Sequence, residues 1–568
     1  MKARKYLSLF TLALIILLVF VSANFQLIKS YHNTPAGTKY FGAVGFFFDY
    51  YQFLSWMKDG TGGRILIASR YIPDIEKPVL LHPFFPAVGL IATFLHLPLF
   101  ISYHLIKNIN LMIFLVSLYF LVKSIFSTSR LRWMAYLLLI FSTGFPRIVF
   151  RGSLIALEPL IPFWKTFYTL EKFDYPPHHL LADALFIFLI ILIIKTIKSK
   201  VTPGVAEWIH PEDSSRGTPL GWLTIFGIAT ISILLTLLNP ATAVFLLGIL
   251  GILLVYLLVA KRLDKKEGEI FGRYRWIYLV IIIFALPILI YNYGIFQTGN
   301  PWKYFYLGER YGRYDVSFAS YILSGGPLLL SGLLSFVFWS RFKLAEKILG
   351  LWLVLPPLMF FQAGKLLPFS MSRVFALNLY IPAALLTAFL WEQLQPPQGS
   401  PFGHPWGERW GKMIKSILLL FLIASLFLGG IFSLQDIFKR QYVNYYNVFL
   451  PNDLIAAIAY INSHTRTNST ILAGENISNL IPAFLDNHVV LGREDVWANY
   501  EQIKNKVSRI FLRETEDGQI ISQLKDWRVQ YLIFGLDQVG YEAFLKKGTI
   551  PQLKSVYKAG DISVVEVL

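Results

Sequence analysis

An aspartate set among aromatic residues is the first group in this chain suited to chemistry. Asp49 stands in FGAVGFFFDYYQFLSWMKDGTGGRI, flanked by Phe46, Phe47, Phe48, Tyr50 and Tyr51. Aromatic neighbours take water away from a carboxylate, which raises its basicity and suits it to accept a proton from a hydroxyl nucleophile. The same residue also fits the cap of a short interfacial helix, because aspartate favours helix starts. Asp59, before Gly60 and Gly62-Gly63, reads as a turn residue. A second group comes from RGSLIALEPL and FDYPPHHLLADAL, where Glu158, Asp174, His178 and His179 gather at the mouth of the following helix, with Asp183 a turn deeper. Free backbone N–H groups at a helix start favour an anion, so a phosphate or sugar contact fits, as does plain solvation of the helix end. Adjacent histidines do not both face one metal from a helix, and no third ligand has helical spacing to them. Lys303, Arg310 and Arg313 interleave with aromatics in GNPWKYFYLGERYGRYDVSF, a pattern common to anionic or glycosidic ligand sites and to amphipathic belts. Arg373 in SRVFALNLYIPAALLTA offers a fork of donors suited to phosphate, or snorkels to lipid headgroups.

The elements that position these residues belong to a membrane. Of 568 residues 55% are hydrophobic and only 15% charged, too few charges to cover a soluble surface. The formal net charge of +18 fits cytoplasmic loops and anionic headgroups, and no basic–aromatic stripe on a soluble segment points to nucleic acid. The absence of cysteine excludes disulfides, thiolate metal sites and cysteine nucleophiles.

MKARK followed by the apolar run 6–28 predicts an uncleaved anchor with a cytoplasmic N-terminus. Further apolar runs at 98–122, 132–150, 180–198, 219–238, 241–260, 276–293, 320–340, 346–363, 373–391 and 413–435 bring the expectation to about eleven spans. The run 79–97 is broken by Pro83 and Pro86 and carries His82 and His96; if it crossed, every later loop would change sides. Taking it as non-crossing puts all the short basic linkers on one face, from Lys123, Arg130 and Arg132 through to Arg409, Lys412 and Lys415. The expected division is then a transmembrane domain at 1–437, with outer loops 30–97, 151–179 and 294–319, and an extracytoplasmic domain at 438–568. Asn239-Pro240 reads as a turn between two spans.

The last segment reads as a small α/β domain. A helix is expected over 452–463 with Asn452 as its cap, and another over 500–513. STILA, HVVLG and VQYLIFG read as buried strands of a mostly parallel sheet, and the last residues as a hairpin turning at Ala559-Gly560. No glycine fingerprint for a dinucleotide is present, and Asn468-Ser469-Thr470 is a formal glycosylation sequon.

This layout resembles the GT-C superfamily of membrane glycosyltransferases, which includes protein O-mannosyltransferases and aminoarabinose transferases. The resemblance rests on Asp49 after the first span, in FFFDYYQFLSWMKDG, and on a proline-containing outer segment, KPVLLHPFFPAVGLIATFLHLPL. A late span with an outer arginine and an internal proline, SRVFALNLYIPAALLTA, and the C-terminal domain with ILAGENISNLIPAFLDNHVVLG complete it. It covers nearly the whole chain through short, degenerate motifs. It implies a polyprenyl-phosphate sugar donor, Asp49 as the acid that activates the acceptor or contacts the donor, and Lys365 or Arg373 on the donor phosphate. Members with an acidic pair carry a second acid where this chain has Tyr50, which leaves a divalent metal cofactor open. The expected function is therefore sugar transfer from a lipid-linked donor to a lipid, glycan or protein acceptor on the non-cytoplasmic face. Glu158, His178 and His179 are candidate substrate contacts. Two rivals remain at this point: a flippase for lipid-linked sugars, which predicts internal repeats around a midplane site, and a non-catalytic assembly protein.

Overall fold

Apolar length decides the main elements. In a computed structural model of the chain, eight helices among the described residues are long and apolar enough to cross a bilayer. The structure describes residues 2–44, 47–73, 77–151, 154–159, 167–198, 220–311, 316–362, 373, 377–394, 413, 415–420, 422–423, 426, 445–465, 469–494, 497, 499–536 and 538–568. The helices that matter below are α1 (Lys2–His32), α2 (Phe47–Thr61), α3 (Phe84–Phe94), α4 (Leu99–Ile125), α5 (Ser129–Phe141), the single turn α6 (Thr169–Lys172) and α7 (Pro177–Lys198). They continue with α8 (Leu220–Leu238), α9 (Pro240–Ala260), α10 (Lys265–Ile295), α11 (Trp302–Tyr311), α12 (Phe318–Leu334), α13 (Leu344–Gln362) and α14 (Tyr380–Gln393).

The run 132–150 is not one span. The α5 helix stops at Phe141, and Pro146 opens a hairpin of β2 (Pro146–Arg151) and β3 (Leu154–Pro159). The helix within 373–391 starts only at Tyr380, seven residues after Arg373, and most of 413–435 lies outside the described residues. The run 79–97 folds as the 11-residue α3, about 16 Å long at ~1.5 Å per residue, short of a bilayer's ~30 Å core.

Two compact units emerge. The first joins residues 1–24, 107–291 and 312–439 and holds most of the long helices. Small residues let these helices approach closely, as is usual where lipid gives no hydrophobic drive to association. A Cβ on Gly332 of α12 would lie 3.1 Å from the Ala383 backbone of α14, and Ser331 Oγ meets Thr387 Oγ1 at 2.7 Å across the same pair. The α12 helix is interrupted at Gly326 (φ 52°) before Pro327, and the Phe145 N–H donates to the Leu323 carbonyl at 3.2 Å, satisfying part of the broken ladder. Asn239 is a true cap rather than only a turn: its side chain accepts from Thr242 N–H at 3.1 Å at the start of α9.

The second unit joins residues 25–106, 292–311 and 440–568. Its five-stranded sheet has the order β6-β5-β7-β9-β8, with β5 Thr470–Leu472, β6 His488–Val489, β7 Val529–Phe534, β8 Leu553–Ala559 and β9 Ile562–Val567. The pairs β5/β6 and β5/β7 are parallel, whereas β7/β9 and β8/β9 are antiparallel, so the sheet is mixed rather than mostly parallel. The terminal hairpin causes this by inserting its second strand against β7. Helix Asn452–His464 begins as expected, but Pro451 takes the cap position and the Asn452 N–H donates to the Gly37 carbonyl. Short strands β1 (Thr38–Tyr40) and β4 (Phe449–Pro451) pair antiparallel within this unit.

The α2 helix is the centre of the second unit. Residues 50–57 are all buried, so it is packed in protein rather than resting one face on lipid. It crosses α3 with backbones in contact. A Cβ on Gly60 would lie 1.9 Å from the Pro86 carbonyl oxygen, and one on Gly89 1.8 Å from that of Met57. Only glycine fits either position.

Candidate functional site

Two clusters of polar side chains stand out, one in each unit. In the second unit both carboxylates of α2 are held by arginines. Asp49, in its first turn, accepts from Arg493 Nη1 through Oδ1 at 3.0 Å; its side chain is 43% exposed and that of Arg493 12%. Phe48 points outward beside this half-exposed aspartate, while Tyr50 and Tyr51 turn into the core. Burial instead falls on Tyr50 and Tyr51, pushing both phenols well up from their ordinary value. Ten residues on, the Asp59 carbonyl accepts from Gly62 and Arg64 N–H in the turn that ends α2, while its side chain is 1% exposed: Arg70 Nη2 donates to Oδ1 at 2.6 Å, and Arg64 reaches the same oxygen at 3.1 Å. Arg70 also reaches Asp486 at 3.3 Å, and Lys58 Nζ donates to the Phe484 carbonyl. Burial pulls the Lys58 ammonium below the ordinary lysine value, with Asp486 opposing.

The same arginine ties α2 to the sheet. The Val489 N–H donates to the Arg70 carbonyl at 2.9 Å, and His488 Nδ1 lies 2.8 Å from the Ile72 carbonyl, so segment 70–72 borders the β6 edge. Past β6 the chain passes Gly492, whose Cβ would stand 2.4 Å from Tyr71 Cδ1, and reaches Arg493. The path from Asp59 through Arg70 and β6 to Arg493 returns to Asp49 on the same helix.

In the first unit the cluster lies around the start of α7. Lys172 and Asp183 are both buried, and Asp183 is hydrogen-bonded by Asn378, itself at φ 51° in the left-handed region that asparagine tolerates. Burial draws the Lys172 ammonium down to about 8, against the opposing charge of Asp183. Burial raises the Tyr175 phenol well above its ordinary value, helped by Asp183 and Glu171, while Arg373 works in the opposite direction. Arg373 therefore stands within electrostatic reach of Tyr175. Asp183, Thr242, Trp352 and Asn378 line a small cavity with room for about one water. His178 is buried, its ring 4.2 Å from that of His179, and His179 Nδ1 lies 3.3 Å from Asn239 Nδ2. Asp174 does not join this group; it pairs with the buried Lys107 at 2.7 Å, which also donates to the Ala23 carbonyl.

Of the residues expected from sequence, His178, His179, Asp183 and Arg373 thus belong to one unit, and Asp49 to the other. Glu158 lies on β3 opposite Arg147, while Lys365 and Asn468 are outside the described residues. Sequence reasoning missed Arg493, Arg70, Lys172, Lys107 and Asn378. Nothing in their spacing signals a partner; only Lys172, wedged in TLEKFDYPPHH before a span, carries a local hint. Among the described residues no three His, Asp or Glu side chains come together to hold a metal ion. The Oδ1 of Asp49 is taken by a guanidinium, so among the described residues this carboxylate is not part of a metal-ligand cluster.

Solved structures define the class: the chain has the fold of the GT-C-type membrane glycosyltransferases, and it is an integral, multi-pass membrane protein. Three enzymes are among the likenesses. The oligosaccharyltransferase AglB of Archaeoglobus fulgidus, solved with an inhibitory peptide and a dolichol-phosphate, superposes with a TM-score of 0.54 at 10% identity, over 93% of this chain and 69% of its own. ArnT of Cupriavidus metallidurans bound to undecaprenyl phosphate gives 0.50 at 12% identity, over 99% of this chain and 98% of its own. The arabinofuranosyltransferase AftD from Mycobacteria gives 0.54 at 11%, over 97% of this chain and 40% of its own. At such identities the likeness is one of fold. No protein-family model matches the chain, and no curated protein sequence matches it.

Proposed function

We propose that the chain transfers a sugar from a polyprenyl-phosphate-linked donor to an acceptor hydroxyl on the non-cytoplasmic face. The N-terminus would be cytoplasmic and the segment after 437 on the opposite side. The observation that carries this reading is Asp49: on the helix that follows the first span it keeps a 43% exposed carboxylate, with one oxygen anchored by an arginine. The fold likeness to enzymes solved with dolichol-phosphate and undecaprenyl phosphate supports a donor of that kind.

For a hydroxyl acceptor, its O–H proton passes to Asp49 as its oxygen bonds to the anomeric carbon. The bond from that carbon to the phosphate oxygen breaks with its electron pair, and polyprenyl phosphate leaves. Positive charge builds on the sugar and negative charge on the phosphate, so cations near the leaving group stabilise the transition state. The sequence resemblance, and no observed proximity to Asp49, suggests Lys365 or Arg373 for that phosphate and Glu158, His178 and His179 as substrate contacts. The test is release of label from a panel of radiolabelled polyprenyl-phosphate sugars by purified wild type and Asp49→Asn. Transfer by wild type alone supports the reading. Background signal from wild type across the panel overturns it, and equal transfer by the variant removes Asp49 from the chemistry.

A further inference from the structure

Asp49 and Arg493 are separated by 444 residues, yet they are the two ends of one closed path through the second unit. The carboxylate sits on the first turn of α2, and the arginine is the first charged residue after the edge strand β6. Three features fix the distance between them. Asp59, on the last turns of the same helix, is clamped by Arg70 at 2.6 Å. The backbone of 70–72 runs beside β6, with Val489 N–H on Arg70 O at 2.9 Å and His488 on Ile72 O at 2.8 Å. Gly492 then presses on Tyr71 with no room for a Cβ, which sets where Arg493 leaves the sheet.

The result is unequal treatment of the two carboxylate oxygens. Oδ1 accepts from Arg493 Nη1 at 3.0 Å, and among the described residues Arg493 is the partner that Asp49 has. An aspartate rotates easily about its terminal bond, so an exposed one samples many orientations. A charge-assisted bond to one oxygen stops that rotation and turns the other oxygen to a fixed direction. The guanidinium is 12% exposed against 43% for the carboxylate, so the arginine is the held member and the aspartate faces outward.

We propose that Arg493 is the positioning residue for the Asp49 carboxylate, so that the C-terminal sheet sets the aim of the acid carried by the first loop. The inference rests on the sugar-transfer reading for its kinetic consequence. Arg493 touches neither acceptor nor donor; it acts through Asp49. Loss of orientation lowers the rate of the bound complex and leaves donor binding nearly unchanged. A misplacement of about 1 Å costs on the order of 100-fold in rate.

The experiment compares wild type, Arg493→Ala, Arg493→Lys and Asp49→Asn in detergent, with two readouts. The first is kcat and donor KM. Arg493→Ala is expected to lower kcat on the order of 100-fold with donor KM changed less than about threefold. Arg493→Lys recovers part of the loss, and millimolar guanidinium ion restores Arg493→Ala but not Asp49→Asn. The second readout needs no activity: carbodiimide labelling of Asp49 followed by peptide mass spectrometry. The arginine-paired carboxylate labels slowly in wild type and faster in Arg493→Ala. Wild-type kcat in Arg493→Ala, or equal labelling in the two proteins, overturns the inference. So does a loss in Arg493→Ala that neither lysine nor guanidinium relieves and that tracks a fall in melting temperature. An inactive wild type with Asp49 still protected by Arg493 overturns the transfer reading and leaves the pair standing.

Discussion

Replacing Arg70 by methionine should destabilise the second unit severely while leaving the membrane-spanning helices in place. The arginine is 4% exposed and Asp59 1%, and they meet at 2.6 Å with a second contact at 3.4 Å. Methionine keeps most of the buried stem but strands the carboxylate. Removing one member of a buried pair costs about 3–5 kcal/mol, because the remaining charge stays out of water. Arg64 reaches the same oxygen at 3.1 Å, but it is 53% exposed, and a pair with an exposed partner returns ~1 kcal/mol at most. The net loss is about 3 kcal/mol, which lowers the melting temperature by roughly 6–12 °C at ~2–4 °C per kcal/mol for a unit of ~150–250 residues. Tryptophan fluorescence during heating reads this directly, since Trp56 is buried on α2 one turn from Asp59. Adding Asp59→Asn removes the stranded charge and should recover about half of the loss. A melting temperature for Arg70→Met within ~2 °C of wild type would refute the reasoning.

Gly89→Val should be still less tolerated than its size suggests, because its Cβ has a backbone carbonyl 1.8 Å away; the α2–α3 crossing must open, and expression or melting temperature should fall sharply. Lys58 carries a pH signature. Its folded value lies below the ordinary 10.5, so the unfolded chain binds more protons between the two values and stability rises with pH across that window; Lys58→Met should flatten the rise in melting temperature. Because the chain has no cysteine, a single cysteine in place of the exposed Lys546 gives a clean test of sidedness: an impermeant maleimide should label it from outside intact cells. Labelling only after lysis would reverse the proposed orientation.

Legibility from sequence followed the range of the interaction. The strands of the C-terminal sheet were readable because β-branched runs between turn residues report local burial, and the α2 acid stood out as a candidate because it interrupts an aromatic run. Its partner was not, since Arg493 meets Asp49 only through a sheet edge that the sequence does not display. The buried ion pair of Asp59 was not legible for a related reason. Gly60 looked like a turn signal, yet it is a helical glycine admitting the Pro86 backbone. The run 132–150 looked continuous by hydropathy, but Ser142, Gly144 and Pro146 end the helix and start a hairpin. The burial of Lys172 beside Asp183 and Asn378 depends on the stretch before and into α7 meeting a segment far along the chain, which no period in the sequence records.

The border between segment 70–72 and β6 also imposes an order on biosynthesis. Arg70 and Asp486 are 416 residues apart, and a ribosome adding ~5–20 residues per second takes roughly 20–80 s to cover that distance. Throughout that interval the first loop has left the ribosome without the strand and helix that cover it. Tyr51, Phe53 and Trp56 then lack part of the surface that later encloses them, and Arg70 waits for the residues of the last domain. The helix that bears Asp49 is made long before the strand and helix that complete its burial.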